Sequence, residues 1–131
     1  MGIASATMSS MERYLVDGMN VVGSRPDGWW RDRPEAARSL AEGLRDWAMR
    51  TGSDVTVVFD GRPGPAGEVG GPLTVVFARH ADDEIAQRAA ADPDPASLLV
   101  VTSDGELTRR VTAVGARVSG SGGFRRQVDT R

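Results

Sequence analysis

The chain contains no cysteine and no lysine. Lack of cysteine excludes disulfides and thiolate metal sites. Lack of lysine leaves all sixteen basic residues as arginine, whose planar fork of donors suits phosphate. Histidine occurs once, as His80. No apolar stretch approaches the roughly 20 residues of a membrane span, so no membrane partner is expected. The N-terminus MGIASATMSSMERY has neither a charged n-region nor a sustained apolar run. No signal peptide is read there, and a cytoplasmic location is expected. Residues 1–11 are expected to be a flexible tail, with Met1, Met8 and Met11 each an available start. There is also no excess of positive charge: the net charge is -2 and the pI is near 5.4. A bulk electrostatic grip on nucleic acid is therefore disfavoured, unless charge is segregated by face.

What is present suits one domain, over residues 12–131 of the 131. A chain of this length buries roughly two thirds of its unfolded surface, so a core forms without staples. Apolar runs without alternation predict buried strands at 14–16, 55–59, 73–77, 98–101 and 116–118. Between them, helical periodicity marks 35–50, 82–91 and 106–114. Ala36, Ala37, Leu40, Leu44, Trp47 and Ala48 fall on one side of the first, with Pro34 suiting its start and Gly52 its end. GSRPDGWWRDRP (23–34) and GRPGPAGEVGGP (61–72) read as loops, the second as flexible. SGSGGFRRQ (119–127) follows a strand but reads as a closing loop anchored by Phe124. Strands alternating with helices predict a three-layer α/β/α sandwich around a mainly parallel sheet.

Acids recur where strands end. Val16 leads to Asp17, Phe59 to Asp60, and LLVVTS to Asp104. Asp82, Asp83 and Glu84 open the helix after the third strand. In an open parallel sheet, ligands bind beyond the carboxyl ends of the strands, so these acids converge on one edge. Alone, Asp17 and Asp104 read equally well as turn residues or helix caps, and Asp82 and Asp83 as partners for the helix dipole. Together they repel and raise one another's pKa unless a cation neutralises them. Oxygen donors with no His or Cys suit Mg²⁺ or Mn²⁺ rather than zinc.

DGMN at 17–20, VVFDG at 57–61, ADDEIA at 81–86 and VVTSDGEL at 100–107, in that order, resemble the PIN-like nucleases. More closely they resemble the YacP-like NYN domain family, whose members cleave or bind RNA. The resemblance runs from residue 13 to about 126. It implies a parallel sheet, an acidic site for one or two divalent metals, and phosphodiester hydrolysis by a metal-activated water. By that resemblance Asp17, Asp60, Asp82, Asp83 and Asp104 are the catalytic acids, with Asp17, Asp60, Asp83 and Asp104 as metal ligands. The choice between Asp82 and Asp83 stays open. Asn20, Thr102 and Ser103 match the polar residues that order the site. The resemblance also brings in the ribosome, and a second copy paired through helix 35–50, as candidate partners. The chain ends sooner than the family pattern, so a terminal helix is expected to be missing or replaced.

Arg25, Arg62, Arg79, Arg109 and Arg125 follow or precede the acids and are candidates for binding RNA phosphates. Arg31, Arg33, Arg110 and Arg126 lie in the same stretches. Trp29 and Trp30 could stack unpaired bases, although packing over the first helix is the commoner fate. Trp47 reads as core, and His80 as a surface or capping residue. The expected function is a metal-dependent ribonuclease, with a non-catalytic RNA-binding module of the same fold as the alternative. A phosphoryl-acceptor receiver or phosphatase ordinarily requires a lysine near its aspartate, and none exists here. A flap nuclease shares the DGxN and ADD pattern, but 131 residues leave little room for its threading helices.

Overall fold

The apolar runs form five strands, and β-branched residues that pack well on a pleated, buried surface are concentrated in those at 54–60, 73–78 and 98–101. The structure, a computed structural model, describes residues 12–130. The expected tail at 1–11, with its three candidate start methionines, lies outside the described residues. The strands are β1 (Arg13–Asp17), β2 (Asp54–Asp60), β3 (Leu73–Ala78), β4 (Leu98–Val101) and β5 (Arg117–Ser119). They lie in the order β3-β2-β1-β4-β5, and every pairing is parallel. Central β1 sets the register, with Val16 opposite Val57 on one side and Val101 on the other.

Successive residues of a strand point to opposite faces. Val16, Val55, Val57 and Phe59 therefore enter one core, and Leu15, Val58 and Val100 the other. The first core is covered by α1 (Gly18–Val22), α2 (Arg33–Thr51) and α5 (Ser121–Asp129). The second is covered by α3 (Ala81–Ala91) and α4 (Gly105–Ala113). The result is the three-layer α/β/α sandwich with a parallel sheet that the sequence implies.

Helix α2 begins two residues before its expected start. The Asp32 carboxylate accepts a hydrogen bond from the Glu35 N–H at 3.2 Å and caps the helix, with Pro34 in the first turn. Gly52 closes it in the left-handed conformation, φ 71°, its N–H bonded to the Ala48 carbonyl at 2.9 Å. At the opposite end of the sheet from the acids, Arg13 holds both oxygens of Asp92, at 2.7 and 3.1 Å. It also reaches the Asp94 carbonyl and Ser97 Oγ.

Residues 18–22, to which the sequence assigns no element, form the short helix α1, which buries Val21 and Val22. Two local expectations are corrected. The loop at 61–72 contains a 3-10 turn, Pro65–Glu68, that buries Ala66 in the first core and is not simply loop. The closing loop is largely the helix α5. Two glycines and a short span hide it in the sequence. It forms because Phe124 and Val128, one helical turn apart, are buried together. Phe124 meets Tyr14 and Trp47 at ring-centroid distances of 5.6 and 5.3 Å, and Tyr14 meets Trp47 at 5.0 Å. Trp47 is core, as read. Trp29 packs partly against the same core, while Trp30 stays 53% exposed.

Candidate active site

Four acids line one open cleft of about 360 Å³ at the carboxyl ends of the strands: Asp17, Asp60, Asp82 and Asp104, with Met19 and Asn20. The cleft sits where the strand order reverses between β1 and β4, the usual ligand position in open α/β sheets.

Asp17 ends β1 and precedes α1, yet its side chain makes no capping bond. Gly18 lets the chain turn there: a Cβ at that position would lie 2.5 Å from the Phe59 ring and 2.9 Å from the Val58 carbonyl oxygen. The Asp17 carboxylate turns instead to Thr102, whose Oγ1 donates to Oδ2 at 2.8 Å. Thr102 Oγ1 in turn accepts from the Asp104 N–H at 3.1 Å. Asp17 is 8% exposed. Burial pushes its carboxyl up to about 6, with Thr102 opposing and the nearby Asp60, Asp104 and Asp82 raising it further.

The other acids are exposed and each is steadied through one oxygen. Asp60 Oδ1 accepts from the Ala81 N–H at 2.9 Å, so the end of β2 caps α3. Asp104 caps α4, Oδ1 accepting from the Leu107 N–H at 2.9 Å. Asp82 Oδ1 accepts from the Asp83 N–H at 3.0 Å. The capping role that Asp17 and Asp104 suggest in isolation is therefore real for Asp104 and not for Asp17, and Oδ2 of Asp60 and of Asp104 stays available. Among the described residues, none of the four cleft acids forms an ion pair. Asp83 lies elsewhere: it does not line the cleft, and Arg110 donates to its Oδ1 at 2.8 Å.

Asn20 Oδ1 accepts from the Ser103 N–H at 2.8 Å and from Ser121 Oγ at 2.5 Å. The backbone donor fixes the amide orientation, because only its oxygen can accept. Its NH₂ makes no hydrogen bond among the described residues and borders the cleft. Ser103 Oγ accepts from the Ser121 N–H at 2.9 Å. Helix α5 is thereby tied to the cleft through Ser121, a buried residue that the sequence reading placed in a loop and left without a role.

The candidate arginines are dispersed. Arg25 is paired with Asp129 of α5, and Arg125 donates to the Val21 carbonyl at 3.3 Å and lies 3.7 Å from Asp129. Arg109 is exposed on α4 near Glu106, 3.8 Å away. Arg79 is exposed between β3 and α3, beside the exposed His80 at the α3 N-cap. Arg62 borders a second, apolar groove next to Asp60. Sequence reasoning did not foresee that groove, because its walls come from four separate segments.

A parallel α/β domain with an acidic cleft at the strand-order reversal fits a nuclease-type fold. The chain belongs to the YacP-like NYN domain family, whose model matches residues 14–131. It is similar to the crystal structure of a point mutant of Rae1 (YacP) from Bacillus subtilis, with 27% identity and a TM-score of 0.74. That match covers 91% of this chain and 76% of the other. The crystal structure of Rae1 (YacP) from Bacillus subtilis itself matches with a TM-score of 0.76 at 24% identity, over 91% of this chain and 74% of that one, and shows the shared fold. A comparison with curated proteins finds no match.

Proposed function

We propose that the protein is a divalent-metal-dependent ribonuclease that hydrolyses phosphodiester bonds within RNA. One observation carries this reading: four carboxylates from four separate chain segments line one cleft, and none has a cationic partner among the described residues. Asp17 is buried there, where an uncompensated charge is costly. The donor set is all oxygen, which fits Mg²⁺ or Mn²⁺. Asp17, Asp60, Asp82 and Asp104 would hold the ion. A divalent ion bound there supplies an activated water and shields charge that builds on the phosphate.

The chain's own groups do the rest. The Thr102 hydroxyl fixes the Asp17 carboxylate and so the centre of the cleft. The Asn20 NH₂ is a donor for a phosphate oxygen. Hydrolysis forms a bond from the water oxygen to phosphorus and breaks the bond to the leaving ribose oxygen, which takes up a proton. The acidic cleft admits no second anion easily, so the phosphate must arrive with compensating charge. Arg62 next to Asp60 supplies some of it.

A second reading, an RNA-binding module without catalysis, is favoured by a different observation. Among the described residues, no three His, Cys, Asp or Glu side chains are gathered closely enough to hold one ion. Metal-dependent catalysis requires the cleft acids to draw closer together than this. Incubation of labelled RNA with Mn²⁺ or Mg²⁺, beside folded Asp17→Asn and Asp104→Asn proteins, decides between the two. Metal-dependent cleavage lost in both variants supports the nuclease. Intact RNA with chelator-insensitive binding supports the module.

A further inference from the structure

Beside the acidic cleft lies a larger groove of about 470 Å³. The two share Met19 and Asp60, so they form one continuous depression. The groove's floor is apolar: Phe59 and Phe77, with ring centroids 5.9 Å apart, and the small side chains of Ala37 and Ala66. Its rim carries Arg33 and Arg62, which form no ion pair among the described residues. Arg33 lies over the Trp29 ring, 5.3 Å from its centroid, so its guanidinium is held at this edge.

Two glycines seat the aromatic floor. A Cβ at Gly18 would strike the Phe59 ring at 2.5 Å, and one at Gly67 would lie 3.0 Å from Phe77. The loop that carries Arg62 is stiffened by Pro63 and Pro65 and pinned by buried Ala66, so the wall is formed by the fold.

An apolar floor with two uncompensated cations at its rim, continuous with a cleft that handles phosphodiesters, matches one chemistry. We propose that this groove seats an unpaired nucleobase of the RNA strand, next to the phosphate held at the acids, with Arg33 and Arg62 meeting the backbone phosphates beyond it. The assignment rests on the nuclease-or-RNA-binding reading of the cleft and deepens it. The half-buried Phe77, backed by the buried Phe59, contacts a base by its face, and every base has such a face. The groove therefore demands a base without choosing strongly among the four. It also demands an unpaired one, because a duplex does not offer a base face to a recessed floor.

The test uses fluorescein-labelled single-stranded RNA hexamers, either unmodified or with one abasic ribose placed in turn at each position. Affinity is read by anisotropy in EDTA, so the result does not depend on cleavage. Wild-type protein should lose roughly 10- to 100-fold in affinity when one particular position is abasic, and little at the others. Gly64 lines the groove on extended backbone, φ -144°, with nothing within 4 Å of an added Cβ. Gly64→Trp should therefore fold normally, bind the unmodified hexamer as weakly as wild type binds the abasic one, and no longer distinguish the two. Arg62→Gln should weaken binding of both hexamers alike. Equal affinity of wild type for all abasic positions would overturn the assignment. So would a concentration-dependent dimer, seen by sedimentation and lost in Gly64→Trp, because the groove would then seat a second copy. If base-dependent binding holds but no metal yields cleavage, the groove stands and the nuclease reading fails.

Discussion

Replacing Asp17 with Asn should stabilise the protein while abolishing its activity. Burial pushes the wild-type carboxyl up to about 6 in the fold, from 3.8 ordinarily. The folded state thus holds this proton more tightly than the unfolded state does. Well below pH 3.8 both states are protonated and burial of Asp17 carries no charge penalty. As pH rises from about 4 to about 6 the unfolded chain ionises first, and the wild type loses stability. Above pH 6 a constant penalty remains, on the order of 3 kcal/mol from a shift of about two units. Asn carries no charge and still offers an oxygen to Thr102. The Asp17→Asn protein should exceed wild type by only about 0.5 kcal/mol near pH 4 and by up to about 3 kcal/mol at pH 7.5. For a domain of this size that is about 10 °C in Tm. Urea unfolding followed by circular dichroism, at half-unit steps from pH 4 to 8 in EDTA, measures the gap. A saturating divalent ion should then close it from the wild-type side, by about 3 kcal/mol at a hundredfold excess over Kd. A gap that does not change with pH, or a variant less stable than wild type at pH 7.5, would refute the account of Asp17. Absence of any Mn²⁺ effect on wild type would refute the cation.

Other outcomes follow from the packing. Ser121→Ala removes a hydroxyl bonded to Asn20 and should cost about 1 kcal/mol in urea unfolding, while lowering kcat more than it raises KM. Phe124→Ala empties the Tyr14–Trp47–Phe124 cluster and should cost about 3–5 kcal/mol, with faster amide exchange in α5 as the local sign. Gly18→Ala forces a methyl against Phe59 and the Val58 carbonyl, and should destabilise by about 1–3 kcal/mol in thermal unfolding. Arg13→Ala breaks the hold on Asp92 at the far end of the sheet. It should cost about 2 kcal/mol at pH 7 and leave RNA cleavage unchanged. Arg13 holds the Asp92 carboxyl below its usual range, so the wild-type advantage should shrink as pH falls below that range.

Much of the framework was legible because it is local. Unalternating runs such as VTVVF announce a strand buried on both faces, and β2 spans it with one residue more at each end. The apolar stripe of 35–50 announces α2, and only its cap, Asp32, moves the start. Asp17, Asp60 and Asp104 could be placed at one edge from chain order alone, since parallel strands all end on the same side. Asp82 and Asp83 could not be told apart, because adjacent residues on a helix differ by 100° and only the packing of α3 decides which meets the cleft. The structure sends Asp82 there and leaves Asp83 with Arg110.

By itself, then, the sequence determined the alternation of strands and helices, the absence of thiol chemistry, and the acids that end the strands. Those properties depend on neighbours within a turn or a strand. Tertiary structure alone decided that SGGFRRQVD is a helix, because Phe124 finds Tyr14 and Trp47 from distant parts of the chain. It alone joined Ser121 to Asn20, 101 residues apart. It alone assembled the apolar groove, whose walls come from α1, α2, β2, β3 and the loop between the last two. Such contacts are set by where the sheet carries each segment, and no spacing along the chain records them.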